Sequence, residues 1–317
     1  MADTGAGRFA PSPSGRLHVG NLRTAVVAWL FARSTGRRFL IRVEDLDRVR
    51  AGAEADQLAE LADLGITSDS PVLRQSDRTD LYSEALRTLI ERDLAYECFC
   101  TRRDIAEAAS ALHGRPGFYP GTCRGLTAED RARRRRERPP ALRLRSAVDT
   151  WAVEDVLAGR VAAPVDDVVL RRNDGVIAYN LAGVVDDAAQ GVDQVVRGDD
   201  LLTSAPRQAY LASLLGLPAP AYAHVPLAVT AEGRRLAKRD GAVTLEDLAV
   251  QGRTPGAVLA LLLSSLGLPE GSLQAALGAF DTARLPRQPW VVDPSDLFST
   301  PACPACKPSA STDKVLP

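Results

Sequence analysis

The opening forty residues limit the fold more than any other part of the chain. Arg8-Phe9-Ala10 reads as the end of a short strand, and Pro11-Ser12-Pro13-Ser14-Gly15 is too rich in Pro and Gly for regular structure. From about Val19 to Ser34, Leu22, Val26, Trp29 and Leu30, flanked by Ala25 and Phe31, form the broad apolar face of a helix, and Gly36 is placed to close it. Phe39 to Val43 follows as a second buried strand. Strand, glycine turn, helix and strand in this order make a βαβ unit, whose right-handed crossover leaves its strands parallel. The expected fold class is therefore α/β, a doubly wound, Rossmann-like parallel sheet.

Helical periodicity recurs over 54 to 65 and 77 to 93, with Asp77 as N-cap of the second. Between about 95 and 180 the alternation breaks down, and the hairpin-like Val168 to Asn180 carries the turn signal Asn173-Asp174-Gly175. Parallel-sheet patterning returns with Gln194 to Arg197, a helix over 204 to 215 and a strand from His224 to Val229. The expected organisation is a catalytic domain over 1–94 and 184–245, an inserted subdomain over 95–183 and a helical region over 246–292. The tail, 293–317, carries Pro294, Pro301, Pro304 and Pro308 and is expected to be disordered. No internal repeat is visible.

The chain has 317 residues, 45% of them hydrophobic and 25% charged, enough apolar surface for a sizeable core. Its formal charge of -1 gives no global argument for a nucleic-acid partner, so any phosphate-binding surface must come from local clustering of its 39 Lys and Arg. The densest cluster is Arg131, Arg133 to Arg136 and Arg138, a pattern that ordinarily marks a solvated helix face. No run approaches the roughly 20 apolar residues of a spanning helix, and Met1 to Gly15 lacks the apolar core of a leader, which places the chain in the cytoplasm with no membrane partner. Five cysteines, three between 98 and 123 and two at 303 and 306, favour metal or free thiols over disulfides.

Two loops carry chemistry. Pro11 to Asn21 puts a glycine-bearing loop and His18 at the start of a helix after a strand, where unpaired N–H groups and the helix dipole favour an anion. Arg234-Arg235-Leu236-Ala237-Lys238-Arg239-Asp240-Gly241 is a basic loop after a strand, an ordinary surface loop if taken alone. Together they match the order, spacing and strand context of the two signatures of class I aminoacyl-tRNA synthetases. The chain resembles the glutamyl branch of that family at Arg8 to Pro13, Ile41 to Asp45, Ala178 to Leu181 and Val196 to Asp200, a match covering most of residues 7 to 245.

That resemblance implies ATP, accompanied by Mg2+, at His18, Gly20, Asn21 and Lys238. His18 would stabilise the α-phosphate during attack by the substrate carboxylate, and Lys238 the departing pyrophosphate. It assigns Arg8, Phe9, Ala10, Pro11, Ser12, Glu44, Tyr179 and Arg197 to a glutamate pocket, in which arginines grip carboxylates and Glu44 pairs with the α-ammonium. Two positions depart from the family pattern: Asn21 stands where many class I enzymes have a second histidine, and Ala237 where a serine is usual. Cys98-Phe99-Cys100 and Tyr119 to Cys123 resemble a zinc knuckle with ligands Cys98, Cys100, Tyr119 and Cys123, one structural Zn2+ per chain. On ligand chemistry alone His113 is the better fourth donor. His224 is expected to be a hydrogen-bonded core residue, and Asp186 and Asp187 to cap a helix; Cys303 and Cys306 are read as unstructured.

Beyond Lys238 the chain is too short for the helical domains with which ordinary glutamyl enzymes read an anticodon. It resembles the glutamyl-queuosine tRNA(Asp) synthetase family, which implies tRNA-independent activation of glutamate and its transfer to queuosine in the anticodon stem-loop of tRNA(Asp), gripped by the insertion and the arginine run, by an enzyme working as a monomer. A truncated glutamyl-tRNA synthetase, a small-molecule glutamate ligase and a weakly catalytic regulatory paralogue that binds tRNA or glutamate stand as alternatives.

Overall fold

The computed structural model describes residues 5–111, 118–236, 243–292 and 297, with the side chains of 107–111 outside that description. The Lys238 loop, His113 and the cysteines of the tail therefore lie outside the described residues, as do most of 293–317.

The predicted opening unit is present: β1 (Ala6–Phe9), α1 (Val19–Ser34) and β2 (Arg38–Val43), with β1 and β2 parallel. Thr35 caps α1 and Gly36 follows in the left-handed region at φ 69°, where glycine carries no Cβ penalty. Then come α2 (Ala53–Asp63), β3 (Leu73–Arg74), α3 (Thr79–Glu91), β4 (Ala95–Cys98), α4 (Arg102–Ala111), α5 (Ala128–Glu137), β5 (Ala141–Leu144), β6 (Thr150–Asp155), β7 (Gly159–Pro164) and β8 (Val169–Arg171). The sheet resumes with α6 (Tyr179–Ala189), β9 (Val192–Gly198), α7 (Ala205–Leu215) and β10 (Ala221–Val225). The chain continues through β11 (Ala228–Val229), α8 (Leu245–Val250), α9 (Pro255–Ser264), α10 (Leu273–Ala279) and β12 (Trp290–Val291).

The main sheet runs β3-β2-β1-β9-β10-β6-β7, parallel except for the antiparallel β6–β7 hairpin at its edge. Helices cover both faces. Against one, α1 is buried on nearly every side and packs with α9 and α10; against the other, α3, α6 and α7 share a second apolar cluster. The strand order reverses between β1 and β9, and in such sheets the crevice beyond the carboxyl ends of those strands is the ligand site.

Several sequence expectations are corrected. The hairpin over Val168 to Asn180 forms around Asn173-Asp174-Gly175, with Arg172 N donating to Val176 O at 2.8 Å and Ala178 N to Leu170 O at 3.0 Å, but it ends sooner than expected: Tyr179 already begins α6, because Leu181, Val184 and Val185 at helical spacing pack into the second core. Asp77 does not cap α3; it lies in a 3-10 turn, Gln75–Arg78, and α3 begins at Thr79 without a side-chain cap. The strand expected from His224 to Val229 spans Ala221–Val225 and stops at Pro226, which has no N–H for a ladder. The segment 95–183 feeds two sheets: β4, β5 and β8 form an antiparallel sheet of their own, while β6 pairs with β10 through Asp155 and Tyr222.

Candidate active site

His18 is the N-cap of α1. Its Nδ1 accepts from the main-chain N–H of Gly20 at 3.1 Å and of Asn21 at 3.3 Å, and Asn21 Oδ1 accepts from His18 N at 3.3 Å, completing a reciprocal capping box. An imidazole whose Nδ1 accepts carries its proton on Nε2, so the cap sets the tautomer. Asn21 thus has a structural task at the position where many class I enzymes have a histidine. Gly20 is required by close approach: a Cβ there would lie 3.0 Å from the His18 ring and 3.0 Å from Ala228 Cβ. No acidic residue occupies the first turn of α1, which keeps the positive end of its dipole available to an anion.

Helix α2 holds the preceding loop. Gln57 Nε2 donates to the carbonyls of Ser12 at 3.0 Å and Gly15 at 2.5 Å, and Glu60 accepts from Leu17 N at 2.9 Å. The flanks of the Lys238 loop meet the same place: Leu236 N donates to Ala228 O, Arg235 pairs with Asp200 at 2.5 Å, and Val243 O accepts from Val19 N at 3.0 Å. Phe9, Ala10, Pro11, Ser12, His18, Gly20 and Asn21 line an open cleft of about 1260 Å³, with Glu44 and Tyr179 on its wall. Phe9 is also 8% exposed within the α1 core, so its side chain chiefly anchors the loop.

Beside the cleft, Arg8, Glu44, Tyr179 and Arg197 converge on a small pocket, together with Arg42, Asp187 and Gln208, which sequence reasoning did not assign to it. Asp186 and Asp187 do not cap a helix. They sit in the last turns of α6, buried among cations. Asp187 Oδ1 accepts from Arg8 Nε at 3.4 Å and Arg42 Nη1 at 2.7 Å, while Arg42 Nη2 donates to Glu44 Oε1 at 3.2 Å. Asp186 accepts from Gln75 and Tyr82 on Oδ2, both at 2.8 Å, and from Arg78 on Oδ1 at 2.7 Å. Burial alone would raise the Asp187 pKa, but Arg8 and Arg42 outweigh it and hold it below the usual carboxylate range. For Glu44 burial wins and pushes its pKa up against the same two arginines, and an ammonium brought to it would lower that pKa again. The available signal was the i, i+2 spacing of Arg42 and Glu44, two charges on one face of a strand that otherwise reads as buried.

Arg197 enters the pocket from β9. It donates to Gln208 Oε1 at 2.8 Å, His224 Nε2 at 3.0 Å, Leu201 O at 3.4 Å and the Tyr179 hydroxyl at 3.5 Å. His224 is the hydrogen-bonded core residue expected, 3% exposed and 2.7 Å from Asp155.

In the 95–183 segment the Sγ atoms of Cys98, Cys100 and Cys123 all lie within 4.8 Å of one another. Cys100 and Cys123 are 3.5 Å apart, and the Tyr119 hydroxyl is 3.3 Å from Cys98 Sγ and 3.8 Å from Cys100 Sγ. Zn–S bonds of about 2.3 Å set tetrahedral edges of about 3.8 Å, so three thiols and a phenol at these spacings fit the donor set of one such ion. The Tyr119 hydroxyl also accepts from Cys123 N at 2.8 Å, and the Arg143 guanidinium lies 3.8 Å over its ring. These contacts orient the phenol towards the thiols. The arginine run forms α5, which has no buried residue; Arg133 pairs with Asp130 and Arg135 with Glu97.

A family profile described as tRNA synthetases class I (E and Q), catalytic domain, matches residues 6–281. The chain is 62% identical to a glutamyl-Q tRNA(Asp) synthetase of Nocardia farcinica, over 95% of this chain and 97% of that protein. It is 44% identical to one of Symbiobacterium thermophilum, over 89% and 94%. A crystal structure of a glutamate tRNA ligase from Elizabethkingia meningosepticum, in complex with its amino acid, superposes with a TM-score of 0.79 at 26% identity, covering 93% of this chain and 68% of that one. The sheet and the profile match are those of a class I aminoacyl-tRNA synthetase of the glutamyl and glutaminyl type, an ATP-dependent ligase. Within that class the chain belongs to the glutamyl-Q tRNA(Asp) synthetase family.

Proposed function

We propose that this enzyme activates glutamate with ATP in the absence of tRNA and then transfers the glutamyl group to queuosine in the anticodon loop of tRNA(Asp). The observation that carries the reading is the pocket in which Arg8, Arg197 and Glu44 face one small space beside the capped helix of the phosphate cleft. The near full-length identity to relatives of that name supports the acceptor.

In this mechanism Arg197 receives the side-chain carboxylate, and Glu44 and Tyr179 hold the α-ammonium end. The loop from Phe9 to Ser12 leads the α-carboxylate to the cleft. An oxygen of that carboxylate attacks the α-phosphorus of ATP, the bond to the β-phosphate oxygen breaks, and pyrophosphate leaves. Negative charge builds on the nonbridging oxygens, where the Nε2–H of His18 and the N-terminal amides of α1 stabilise it more than in the ground state. Lys238 meets the departing pyrophosphate, and Mg2+ accompanies ATP as part of the substrate. Attack by the modified base on the resulting anhydride releases AMP and completes transfer. Cys98, Cys100, Tyr119 and Cys123 would hold a zinc ion, which would cross-link the 95–183 subdomain structurally. From there the exposed arginines of α5 contact RNA phosphates. The enzyme works as a monomer in the cytoplasm; no helix among the described residues is long and apolar enough to cross a membrane.

The test is ATP–pyrophosphate exchange with purified protein and no tRNA, with aspartate and glutamine as comparison substrates, followed by transfer to tRNA(Asp) with and without queuosine. Glutamate-dependent exchange and queuosine-dependent transfer are expected. Exchange that requires tRNA would instead identify a truncated glutamyl-tRNA synthetase, exchange without transfer to either tRNA a small-molecule ligase, and none at all a regulatory paralogue. Lys238→Ala should lower the exchange rate far more than it weakens glutamate binding; equal losses would remove its assigned role.

A further inference from the structure

The three buried arginines of the pocket are held in two different ways. Arg8 and Arg42 lie against carboxylates, Arg8 against Asp187 and Arg42 against Glu44, Asp186 and Asp187. Arg197 is equally buried, at 6%, yet its acceptors are an imidazole, an amide, a main-chain carbonyl and a phenol. Among the described residues no carboxylate is paired with it.

The carboxylate stands one residue further back. Asp155 Oδ2 lies 2.7 Å from His224 Nδ1 and 3.1 Å from its main-chain N–H. Asp155 Oδ1 accepts from Leu157 N at 2.9 Å and Ala158 N at 2.8 Å, so the turn of the β6–β7 hairpin holds the carboxylate in place. A carboxylate that accepts from Nδ1–H fixes the ring as the tautomer whose Nε2 is a lone pair, and that lone pair faces Arg197 Nε. Tyr222 stacks on the ring at 6.0 Å, and Arg8 and Asp199 also act on it electrostatically. Burial holds the imidazolium form down; Asp155 opposes this in part and Arg197 reinforces it.

We propose that Asp155 and His224 are positioning residues that fix Arg197 through a neutral acceptor, leaving its charge uncompensated for a substrate's side-chain carboxylate and so selecting the acid over its amide. This deepens the glutamate reading of the same pocket and rests on it. A carboxylate at position 224 would neutralise Arg197 and weaken its claim on an anion. An apolar residue would leave a buried guanidinium N–H unsatisfied. The neutral imidazole avoids both, and the charge that orients it comes from a strand of the 95–183 segment, 69 residues away in sequence.

The test uses His224→Asn and His224→Gln in the full chain. A glutamine side chain extends to the position of Nε2 and can accept from Arg197, whereas asparagine ends near Nδ1 and cannot. His224→Asn is expected to raise the glutamate KM in pyrophosphate exchange about tenfold, with kcat changed less than about threefold, and to narrow the preference for glutamate over glutamine. His224→Gln should restore the KM to within about threefold. A side chain that merely fills space would give equal effects from the two variants, which would overturn the inference. Arg197→Ala separates the two levels: an unchanged glutamate KM there removes the underlying reading, whereas a raised KM with equal histidine variants removes only the positioning role. A second measurement needs no variant. The sequence contains three histidines, so 15N-histidine spectra of the wild-type protein are assignable, and His224 should be neutral with its proton on Nδ1 at neutral pH. A proton on Nε2, or an imidazolium, would contradict the proposal.

Discussion

Asp186 and Asp187 are adjacent, buried and ion-paired, yet the same substitution should affect them very differently. Both bonds to Asp187 end on one oxygen, Oδ1, at 2.7 Å from Arg42 and 3.4 Å from Arg8. Asparagine can keep that oxygen in place and lose only the charge. Asp186 uses both oxygens, and every group facing them is a donor: Gln75 and Tyr82 on one, Arg78 on the other. An asparagine that keeps its oxygen on Arg78 turns its NH2 towards Gln75 and Tyr82, which would both have to reverse from donor to acceptor. Asp187→Asn keeps both bonds on ionised arginine donors and loses only the attraction between opposite charges, a loss on the order of 1–2 kcal/mol. Asp186→Asn should break a buried pairing outright and cost about 3–5 kcal/mol, because the charge that pairs with Arg78 is lost together with the acceptor shared by Gln75 and Tyr82. Urea unfolding of both variants beside wild type, with the slope checked for constancy, measures the difference. Equal losses, or a larger loss at Asp187, would refute the argument from donor geometry.

Other outcomes follow from the same contacts. The pKa of His224 is lowered below its ordinary 6.5, so the stability it contributes is full above that value and is lost as pH falls through the folded one. Unfolding free energies at pH 7.5 and 5.5 should therefore differ more in wild type than in His224→Gln, where Asp155, Arg197, Tyr222, Arg8 and Asp199 remain; an identical pH response would contradict the assignment. Gly20→Ala should lower pyrophosphate exchange by about 10²-fold through displacement of the His18 ring, while costing no more than about 1 kcal/mol of stability, since alanine is the better helix former. Metal analysis should find about one zinc per chain by the tetrahedral-site argument, lost in Cys98→Ser; full retention in Tyr119→Phe would show that the phenol is not a ligand.

What could be read from the sequence was what depends on neighbours within one element. The glycine turn, the apolar face of α1 and the buried strand β2 announce themselves through local periodicity, and the two loops carry enough residues to recognise together. The capping role of His18 had a local signal too, an amide three residues on, masked because histidine is an uncommon N-cap. Pairings across the fold had none. Arg42 meets Asp187 from 145 residues away, and two consecutive aspartates after an apolar run look like a helix cap until the fold surrounds them with cations. The signal of Asn173-Asp174-Gly175 was strong enough to draw Tyr179 into a hairpin, although the helical spacing of Leu181, Val184 and Val185 begins beside it.

The β6–β7 hairpin bears on how such a protein could be rebuilt. Its strand β6 extends the sheet of the catalytic core and brings Asp155 to His224. A chimera that exchanged everything between 95 and 183 for a relative's sequence, in order to test the proposed RNA contacts, would also replace Asp155, the residue proposed to support amino-acid selection. The cleaner excision leaves residues 150 to 164 in place and exchanges only what lies around them, so that acceptor preference and amino-acid preference can be altered independently.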